Sequence, residues 1–275
     1  MVTMHQLSRE IAAMRTRGET GTLAIVTAVA GHTPQVVGAK LIVSATGDVY
    51  GTIGGGRVEH VVIARALEVL RTQQPTTVSF KLKAELGMCC GGQMEVYMEP
   101  ILPTLRLILF GAGHVAQPTA SLAASCGYEV AVVDERSDWL SPARFPSATT
   151  RSVAAHGDFL AGAELRPTDS VVITTHNHDY DFEILAAVLR HDVGYVGMIG
   201  STKKVATTFK RLRLQGVTDE VIGRVHAPIG LDICAETPAE IAVAIVGELI
   251  RHRRTARSQK KTRGSEVASC SDAAV

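Results

Sequence analysis

The fold of this chain is decided by residues 105–116, which read Leu-Arg-Leu-Ile-Leu-Phe-Gly-Ala-Gly-His-Val-Ala. An apolar run ends at Gly111, and the apolar spacing of a helix begins at Ala116. In this strand–turn–helix setting Gly111 permits a tight turn, Gly113 lets a pyrophosphate approach the backbone, and Ala116 is the small residue required at the third position. The stretch is typical of the dinucleotide-binding turn of a Rossmann fold, with an anion at the positive helix N-terminus beside His114.

An acidic residue follows the next predicted strand, at the position where such a fold binds a ribose. The next apolar run, residues 129–133, ends in Asp134, which lies 21 residues after Gly113. A carboxylate at this point can accept hydrogen bonds from the ribose hydroxyl pair, whereas Arg136 would suit a 2′-phosphate. The other interpretation is a Rossmann-like fold that has kept the turn and lost the ligand. The pattern therefore predicts a site for NAD(P) or another nucleotide and leaves these alternatives open.

Strands and helices alternate through the rest of this region. Two further apolar runs, residues 170–174 and 195–199, are each followed by helical spacing. Such alternation predicts a mostly parallel sheet covered by helices on both faces. Thr237 is a natural N-cap for a last helix that starts at Pro238 and runs to about Arg251.

The first hundred residues have a different pattern, with short alternating runs typical of strands and two segments of helical spacing. The predicted strands are residues 23–29, 40–44, 49–53, 76–82 and 94–98, and the predicted helices are residues 4–16 and 58–70. Pro100 and Pro103 can continue neither a helix nor a central strand, so we place the domain boundary there. The predicted domains of this α/β protein are a small N-terminal α/β domain with a mostly antiparallel sheet (residues 1–100), a Rossmann-like domain (residues 104–252) and a disordered basic tail (residues 253–275).

Composition excludes several functional classes. The chain has 275 residues, of which 28 are basic and 27 acidic, and 4% are aromatic. The balanced charge and the few aromatic rings argue against a nucleic-acid partner, and no apolar run reaches the roughly 18 to 20 residues of a membrane span. Five cysteines, an odd number, do not form a disulfide framework. We expect a cytoplasmic protein without membrane partners, and, as is common for α/β proteins, a homo-oligomer.

A glycine-rich turn in the N-terminal domain is a candidate anion site. Gly54, Gly55 and Gly56 precede Arg57 between a predicted strand and a predicted helix. Unpaired amides beside a guanidinium would form an anion cradle. A flexible turn without a ligand explains the same residues equally well.

A second turn holds the vicinal cysteines Cys89 and Cys90, followed by Gly91 and Gly92. Exposed thiolates suit soft metals and sulfur transfer, although buried, inert thiols are the commoner case. No second cysteine pair is present to complete a structural zinc site.

Two segments at predicted strand ends could carry further chemistry. His176 and His178, with Asp179 and Asp181, could bind a divalent metal or shuttle a proton. The alternative is that one of the aspartates caps the following helix.

After the next predicted strand, Ser201 or Thr202 is a natural N-cap. Lys203 beside it would suit a phosphate at the helix start, although a solvated lysine is the commoner case.

Together these segments resemble the xanthine dehydrogenase accessory proteins, the XdhC and CoxI family, from about residue 21 to about residue 249. The most specific matches are Gly-Met-Cys-Cys-Gly-Gly at residues 87–92 and Ala-Pro-Ile-Gly-Leu-Asp at residues 227–232. The other matching segments are residues 31–34 with Gly38, 54–59, 111–115, 175–178 and 197–201. Ala116 at the third glycine position leaves nucleotide binding open, and the basic tail lies outside the shared pattern.

The resemblance implies an accessory function rather than a dehydrogenase. Similar proteins bind the molybdenum cofactor (molybdopterin) transiently, support its sulfuration with a cysteine desulfurase, and deliver it to xanthine dehydrogenase or a related molybdenum hydroxylase. On this interpretation Cys89 or Cys90 contacts the cofactor or its sulfur, in a cleft between the two domains. Two alternatives remain, an NAD(P)-dependent oxidoreductase with His176 or His178 as acid–base group and a nucleotide-sensing Rossmann module.

Overall fold

The computed structural model describes residues 2–87 and 91–271. The chain forms two compact units, which we call unit 1 (Met1–Pro103 with Thr255–Val275) and unit 2 (Thr104–Arg254).

Unit 1 is built on a five-stranded antiparallel sheet with strand order β3-β2-β1-β5-β4. Its strands are β1 (Gly21–Ala30), β2 (Lys40–Ser44), β3 (Val49–Thr52), β4 (Thr76–Lys81) and β5 (Gln93–Ile101). Its helices are α1 (Met4–Arg17), α2 (Gly56–Thr72) and α3 (Leu82–Leu86). The sequence predicts all of these except α3, a single helical turn that is too short to show a periodic pattern.

Successive side chains of this sheet point to opposite faces, and each face is covered by a helix. Ala24 of β1 packs in the core that α2 covers with Val58 and Val62. The neighbouring Leu23 points the other way and packs with Leu7 of α1. The antiparallel pairing places the glycine-rich turns that follow β3 and precede β5 in the same unit.

Strand β5 continues through Pro100, past the point where the sequence predicts its end. Pro100 pairs with Thr22 of β1, but β4 pairs with β5 only as far as Met98. At Pro100 the strand therefore has a neighbour on one side only, which is where a residue without an N–H group is tolerated in a sheet.

Unit 2 has a six-stranded parallel sheet with strand order β11-β10-β9-β6-β7-β8. The strands are β6 (Arg106–Phe110), β7 (Glu129–Asp134), β8 (Thr150–Val153), β9 (Ser170–Ile173), β10 (Tyr195–Met198) and β11 (Val225–His226). The helices are α4 (Ala116–Ser125), α5 (His156–Gly162), α6 (His178–Val188), α7 (Thr202–Leu214), α8 (Asp219–Ile222) and α9 (Pro238–Ser271), whose residues from Thr255 onward are counted with unit 1. The predicted parallel Rossmann sheet is confirmed. Its strand order reverses between β6 and β9, which is where open α/β sheets bind ligands.

Two apolar cores sandwich this sheet. Leu107 and Leu109 of β6 lie in the core that contains Ala116 and Ala120 of α4 and Ile245 of α9. Ile108 and Phe110 point to the opposite core, which α5, α6 and α7 cover. A strand buried on both faces explains why residues 107–110 read as one apolar run rather than an alternating one.

Helix α9 begins as the sequence predicts and ends later. The Thr237 hydroxyl accepts from the Glu240 amide, and the Glu240 carboxylate accepts from the Thr237 amide, which together form a capping box. The helix then continues to Ser271 instead of ending near Arg251, so residues 253–271 of the predicted disordered tail are helical. No proline follows Pro238, and Ala, Arg, Gln and Lys favour a helix.

No helix in residues 2–87 or 91–271 is both long enough and apolar enough to cross a membrane.

Candidate functional site

The glycine turn of unit 1 is closed by a carboxylate. Glu59, in the first turn of α2, accepts from the Thr52 hydroxyl at 2.6 Å and from the amides of Ile53 and Gly55 at 3.1 Å each. The Gly54 amide donates to the Thr52 hydroxyl at 3.0 Å. The expectation that these amides are unpaired is therefore wrong for Gly54 and Gly55, because the chain supplies its own acceptors.

The electrostatics of Glu59 are consistent with this role. Burial alone would raise the pKa of Glu59, but the bonds from Thr52, Ile53 and Gly55 outweigh burial and lower the pKa. The carboxylate is therefore ionised at neutral pH and holds the turn in one conformation.

Three turns of unit 1 lie near the described ends of the segment that contains the cysteines. Gly87 ends α3 with φ +61°, and a β-carbon on Gly87 would lie 3.9 Å from Nη1 of Arg57. On the other side of the segment, the Gly92 amide donates to the carbonyl of His32 at 3.0 Å. A β-carbon on Gly54 would overlap Pro34 at 2.7 Å, so this turn also packs closely. Cys89 and Cys90 lie outside the described residues, whereas Gly91 and Gly92 are described and directly precede β5.

The predicted fingerprint turn of unit 2 is present between β6 and α4. Gly111 has φ +100°, and a β-carbon there would lie 2.5 Å from the carbonyl oxygen of Thr174, so only glycine fits. Gly113 faces open space. Among the described residues, no acceptor bonds the amides of Gly113, His114 or Val115. The helix start thus keeps three backbone donors available to an anion.

Asp134 closes this turn in the same way that Glu59 closes the other. Its Oδ2 accepts from the Ala112 amide at 2.7 Å and from Nη2 of Arg136 at 2.8 Å. Its Oδ1 accepts from the amide and Nε of Arg136, both at 2.9 Å. These four bonds use the roughly four acceptor positions of a carboxylate. The sequence suggested that this carboxylate accepts from a ribose hydroxyl pair, but the carboxylate is not arranged to do so.

Burial would raise the pKa of Asp134, but its bonds to Arg136 and to the Ala112 amide prevail and lower the pKa. The ion pair is internal, so it stabilises the turn that carries Gly111.

Two residues that the sequence analysis did not single out lie beside the fingerprint. Trp139, the only tryptophan, is flanked by the guanidinium groups of Arg136 and Arg144 at 4.8 and 4.7 Å from its ring centroid. The ring of His114 meets Trp139 edge-on at 5.4 Å. Arg144 donates to the carbonyls of Trp139 and Ala112 and forms no ion pair with a described carboxylate. Two arginines within five residues of the single tryptophan are the sequence signal that could have drawn attention to this cluster.

The acidic residues after β9 serve the structure. The N-cap of α6 is Asn177, whose side chain accepts from the Asp179 amide at 2.9 Å, so the expected capping by Asp179 or Asp181 is wrong. Asp181 is fully buried and accepts from the amide and hydroxyl of Thr175 and from Lys204 Nζ at 2.6 Å. A carboxylate with these partners links the start of α6 to α7.

The histidines of this segment are exposed and are not gathered into a ligand set. His178 Nδ1 lies 3.8 Å from Asp181 Oδ2, and the ring of His176 meets Tyr180 edge-on at 5.8 Å. The described part of the chain contains no group of three or more His, Cys, Asp or Glu side chains arranged to hold a metal ion. Metal binding at His176 and His178 stays a prediction.

Ser201 caps α7, as predicted, by accepting from the Lys204 amide. Lys203 is exposed at the same helix start, whereas the neighbouring Lys204 turns inward to Asp181. A phosphate-binding role for Ser201 and Lys203 remains a prediction.

The loop at residues 227–232 anchors α9 to the sheet. Its Ile229 and Gly230 amides donate to the carbonyl of Met198 at 3.1 Å and to Glu248 Oε2 at 2.6 Å. Glu248, buried in α9, also accepts from the Tyr195 hydroxyl at 3.1 Å and bonds Nδ1 of His226 at 3.0 Å. Burial would raise the pKa of Glu248, but these bonds lower it. This segment, whose chemistry was not readable from the sequence, is explained by the structural bonds that it makes.

Comparison with known proteins is consistent with this architecture. Residues 107–249, more than half of the chain, match the XdhC Rossmann domain, and residues 14–81 match the XdhC and CoxI family. The chain is similar over 91% of its length to a crystal structure of a xanthine dehydrogenase from Bacillus halodurans, of which it covers 95%, with a TM-score of 0.51 and 24% identity. At that identity the likeness concerns the fold alone.

Three curated relatives are similar in sequence. The uncharacterized protein YqeB of Escherichia coli (strain K12) is 36% identical over 82% of this chain and 42% of its own length. A probable xanthine dehydrogenase subunit of Bacillus subtilis (strain 168) is 35% identical over 58% of this chain and 46% of its own length. The molybdenum cofactor insertion chaperone PaoD of Escherichia coli (strain K12) is 22% identical over 66% of this chain and 53% of its own length.

The chain spans about half the length of these relatives. Since the Rossmann match alone covers more than half of the chain and the other match lies in unit 1, the chain belongs to the XdhC and CoxI family.

Proposed function

We propose that this protein is an accessory protein for molybdenum hydroxylases. It binds the molybdenum cofactor transiently, supports its sulfuration together with a cysteine desulfurase, and delivers it to xanthine dehydrogenase or a related enzyme. Family membership supports this proposal, as do the names of two relatives, which refer to xanthine dehydrogenase and to insertion of the molybdenum cofactor.

One observation supports the assignment of the site, namely that three turns of unit 1 and Arg57 lie near the two described ends of the segment that contains Cys89 and Cys90. Arg57 lies beside Gly87 at one end of this segment, and Gly92 is tied to the turn at His32 at the other end. Soft thiolate sulfur suits molybdenum and sulfur transfer, and a guanidinium suits the phosphate of a pterin cofactor. The donor set therefore fits the proposed cargo, with Cys89 or Cys90 contacting the metal or its sulfur.

The structure reduces the case for an NAD(P)-dependent oxidoreductase. That alternative relied on Asp134 to accept from a ribose, and the four bonds of Asp134 go to Ala112 and Arg136 instead. We therefore propose cargo handling, with no turnover chemistry assigned to unit 2.

The proposal is tested by purifying the full chain anaerobically from cells that make the cofactor. Wild type should retain pterin and molybdenum, measured by pterin fluorescence after oxidation and by elemental analysis. Cys90→Ala, Cys89→Ala or the double variant should retain at least about tenfold less. The matched control is Cys234→Ala, which removes an exposed thiol of unit 2.

The proposal is wrong if wild type retains neither pterin nor molybdenum, or if the cysteine variants retain as much as the control. Circular dichroism of each variant separates loss of the thiol from loss of the fold.

A further inference from the structure

One side of helix α2 is exposed or half-exposed and is rich in arginine. Its residues recur at helical spacing from the first turn of α2 to the last, so they share one side of the helix. We call this side the α2 face, and its residues are Arg57, His60, Ala64, Arg65, Leu67, Glu68 and Arg71. The opposite side of α2 packs into the core of unit 1 through Val58, Val62, Ala66 and Val69.

The α2 face carries more basic than acidic charge. Its three arginines compare with one carboxylate, that of Glu68, which accepts from Nη1 of Arg65 at 2.9 Å. Arg57 forms no ion pair with a described carboxylate. The other acid of α2, Glu59, is bonded to the amides of the glycine turn that precedes the helix. The face therefore attracts an anionic partner.

The α2 face adjoins one described end of the cysteine segment. A β-carbon on Gly87 would lie 3.9 Å from Nη1 of Arg57, so Arg57 belongs both to the face and to the proposed cargo site. From Arg57 an open depression of about 740 Å³ runs along α2 past His60 and Ala64 to Arg65. These four side chains are exposed, so the depression does not enclose a small molecule as a ligand pocket does. A surface of this shape suits a protein.

The chemistry of the α2 face indicates an acidic protein rather than another anion. The face has no aromatic ring on which a nucleic-acid base could stack. Its Leu67 is 38% exposed but is not part of an apolar stripe of the kind that holds a helix on a membrane. Arginine is enriched in protein interfaces, where its guanidinium pairs with carboxylates of the partner.

Delivery of the cofactor is the step in which an acidic partner has a chemical role. Arg57 is the guanidinium assigned to the phosphate of the cofactor. A partner carboxylate that reaches Arg57 competes with that phosphate, so the hold on the cargo weakens when the recipient docks. A cysteine desulfurase adds sulfur while the cofactor stays bound, and this step does not require the competition.

We propose that the α2 face is the docking surface for an acidic surface of the xanthine dehydrogenase that receives the cofactor. This inference rests on the proposed function and names the surface through which delivery takes place.

The test measures binding of the full chain to the xanthine dehydrogenase of the same organism, purified from cells that lack the molybdenum cofactor. Wild type should bind, and should bind more weakly as salt rises, because exposed charges are screened. Arg65→Glu should weaken binding at least about tenfold, since it reverses a charge of the interface. Glu68→Gln, which removes the carboxylate of the face, should strengthen binding.

The matched control is Arg213→Glu on α7. The side chains of Arg213 and Arg65 are 52% and 56% exposed, and each arginine pairs with a carboxylate, Asp219 and Glu68 respectively. If Arg65→Glu does not fold, hydrogen exchange of the wild type replaces it, and the amides of residues 57–71 should exchange more slowly when xanthine dehydrogenase is bound.

The docking surface is refuted if wild type does not bind xanthine dehydrogenase, if Arg65→Glu binds as tightly as Arg213→Glu, or if residues 57–71 gain no protection. It is also refuted if the variants change binding of the cysteine desulfurase alone. Retention of pterin and molybdenum is measured in parallel and should be equal in Arg65→Glu and wild type. Loss of retention in wild type refutes the proposed function, whereas normal retention with equal binding of Arg65→Glu and Arg213→Glu refutes the docking surface alone.

Discussion

Replacement of Asp134 by alanine tests whether this residue stabilises the fingerprint turn. The side chain of Asp134 is 2% exposed, and the variant leaves the Ala112 amide and the Arg136 guanidinium without their acceptor. Breaking a buried ion pair costs about 3 to 5 kcal/mol. Because the side chain of Arg136 is 28% exposed and can be rehydrated, we expect the lower end, a loss of ~3 kcal/mol in the free energy of unfolding.

The assay is urea unfolding followed by the fluorescence of Trp139. As the only tryptophan, it reports on unit 2, and the guanidinium of Arg136 lies 4.8 Å from its ring. Asp138→Ala is the matched control, since Asp138 lies four residues further along the chain and its side chain is exposed. A loss for Asp134→Ala no larger than for the control would refute the reasoning.

The same pair predicts a pH dependence. The pKa of Asp134 is lowered from its ordinary value of 3.8, so the unfolded chain binds this proton more readily than the folded one. The stabilisation is complete above the ordinary pKa and is lost as the pH falls through the folded value. The difference between wild type and Asp134→Ala should therefore be constant near neutrality and shrink below about pH 4. A difference that stays constant in acid would contradict this.

Three further predictions concern other described residues. Glu59→Ala should speed hydrogen exchange of the Gly55 amide at least about tenfold, because that amide loses its acceptor. The pKa of His252 is lowered by burial and, to a smaller extent, by the charge of His226. The stability that depends on neutral His252 is therefore complete above its ordinary pKa of 6.5 and is lost as the pH falls below that value. In this pH range His252→Phe should flatten the pH dependence of urea unfolding. Thr237→Ala removes the N-cap of α9 and should cost about 1 kcal/mol in thermal or urea unfolding.

Two of these predictions have a control variant, and the pH prediction is compared with the wild type. Glu68→Ala, on an exposed face of α2, should leave the exchange of Gly55 unchanged. A pH profile for His252→Phe that is as steep as that of wild type would contradict the second prediction. Ser147→Ala, at an exposed position outside any helix, provides the comparison for Thr237→Ala, and equal losses would contradict the third prediction.

The two glycine-rich turns share one design. In each, a carboxylate from the neighbouring element accepts the turn's own amides, Glu59 in unit 1 and Asp134 in unit 2. An arginine stands beside each turn, but only Arg136 is neutralised by the closing acid. Internal closure preorganises the turn and leaves the recognition of anions to the donors that remain.

Local patterns were sufficient for most of the elements. The fingerprint turn, the parallel sheet and the capping of α9 at Thr237 follow from residue spacing, because the forces that set them act over a few residues. The elements that the sequence did not predict are short, such as α3, α8 and β11, or have a weak pattern, such as β8 and α5. They depend on the neighbours that pack against them.

The same distinction between local sequence patterns and tertiary packing applies to the candidate site. The sequence by itself determined where glycine is required and which residues could meet an anion, since Gly111 is needed for steric reasons and Arg57 for charge. Only the tertiary structure decided which polar groups are still available. It placed Asp134 against Ala112, and it left Nδ1 of His156 without a partner, because hydrogen-bond partners distant in sequence are assigned by packing.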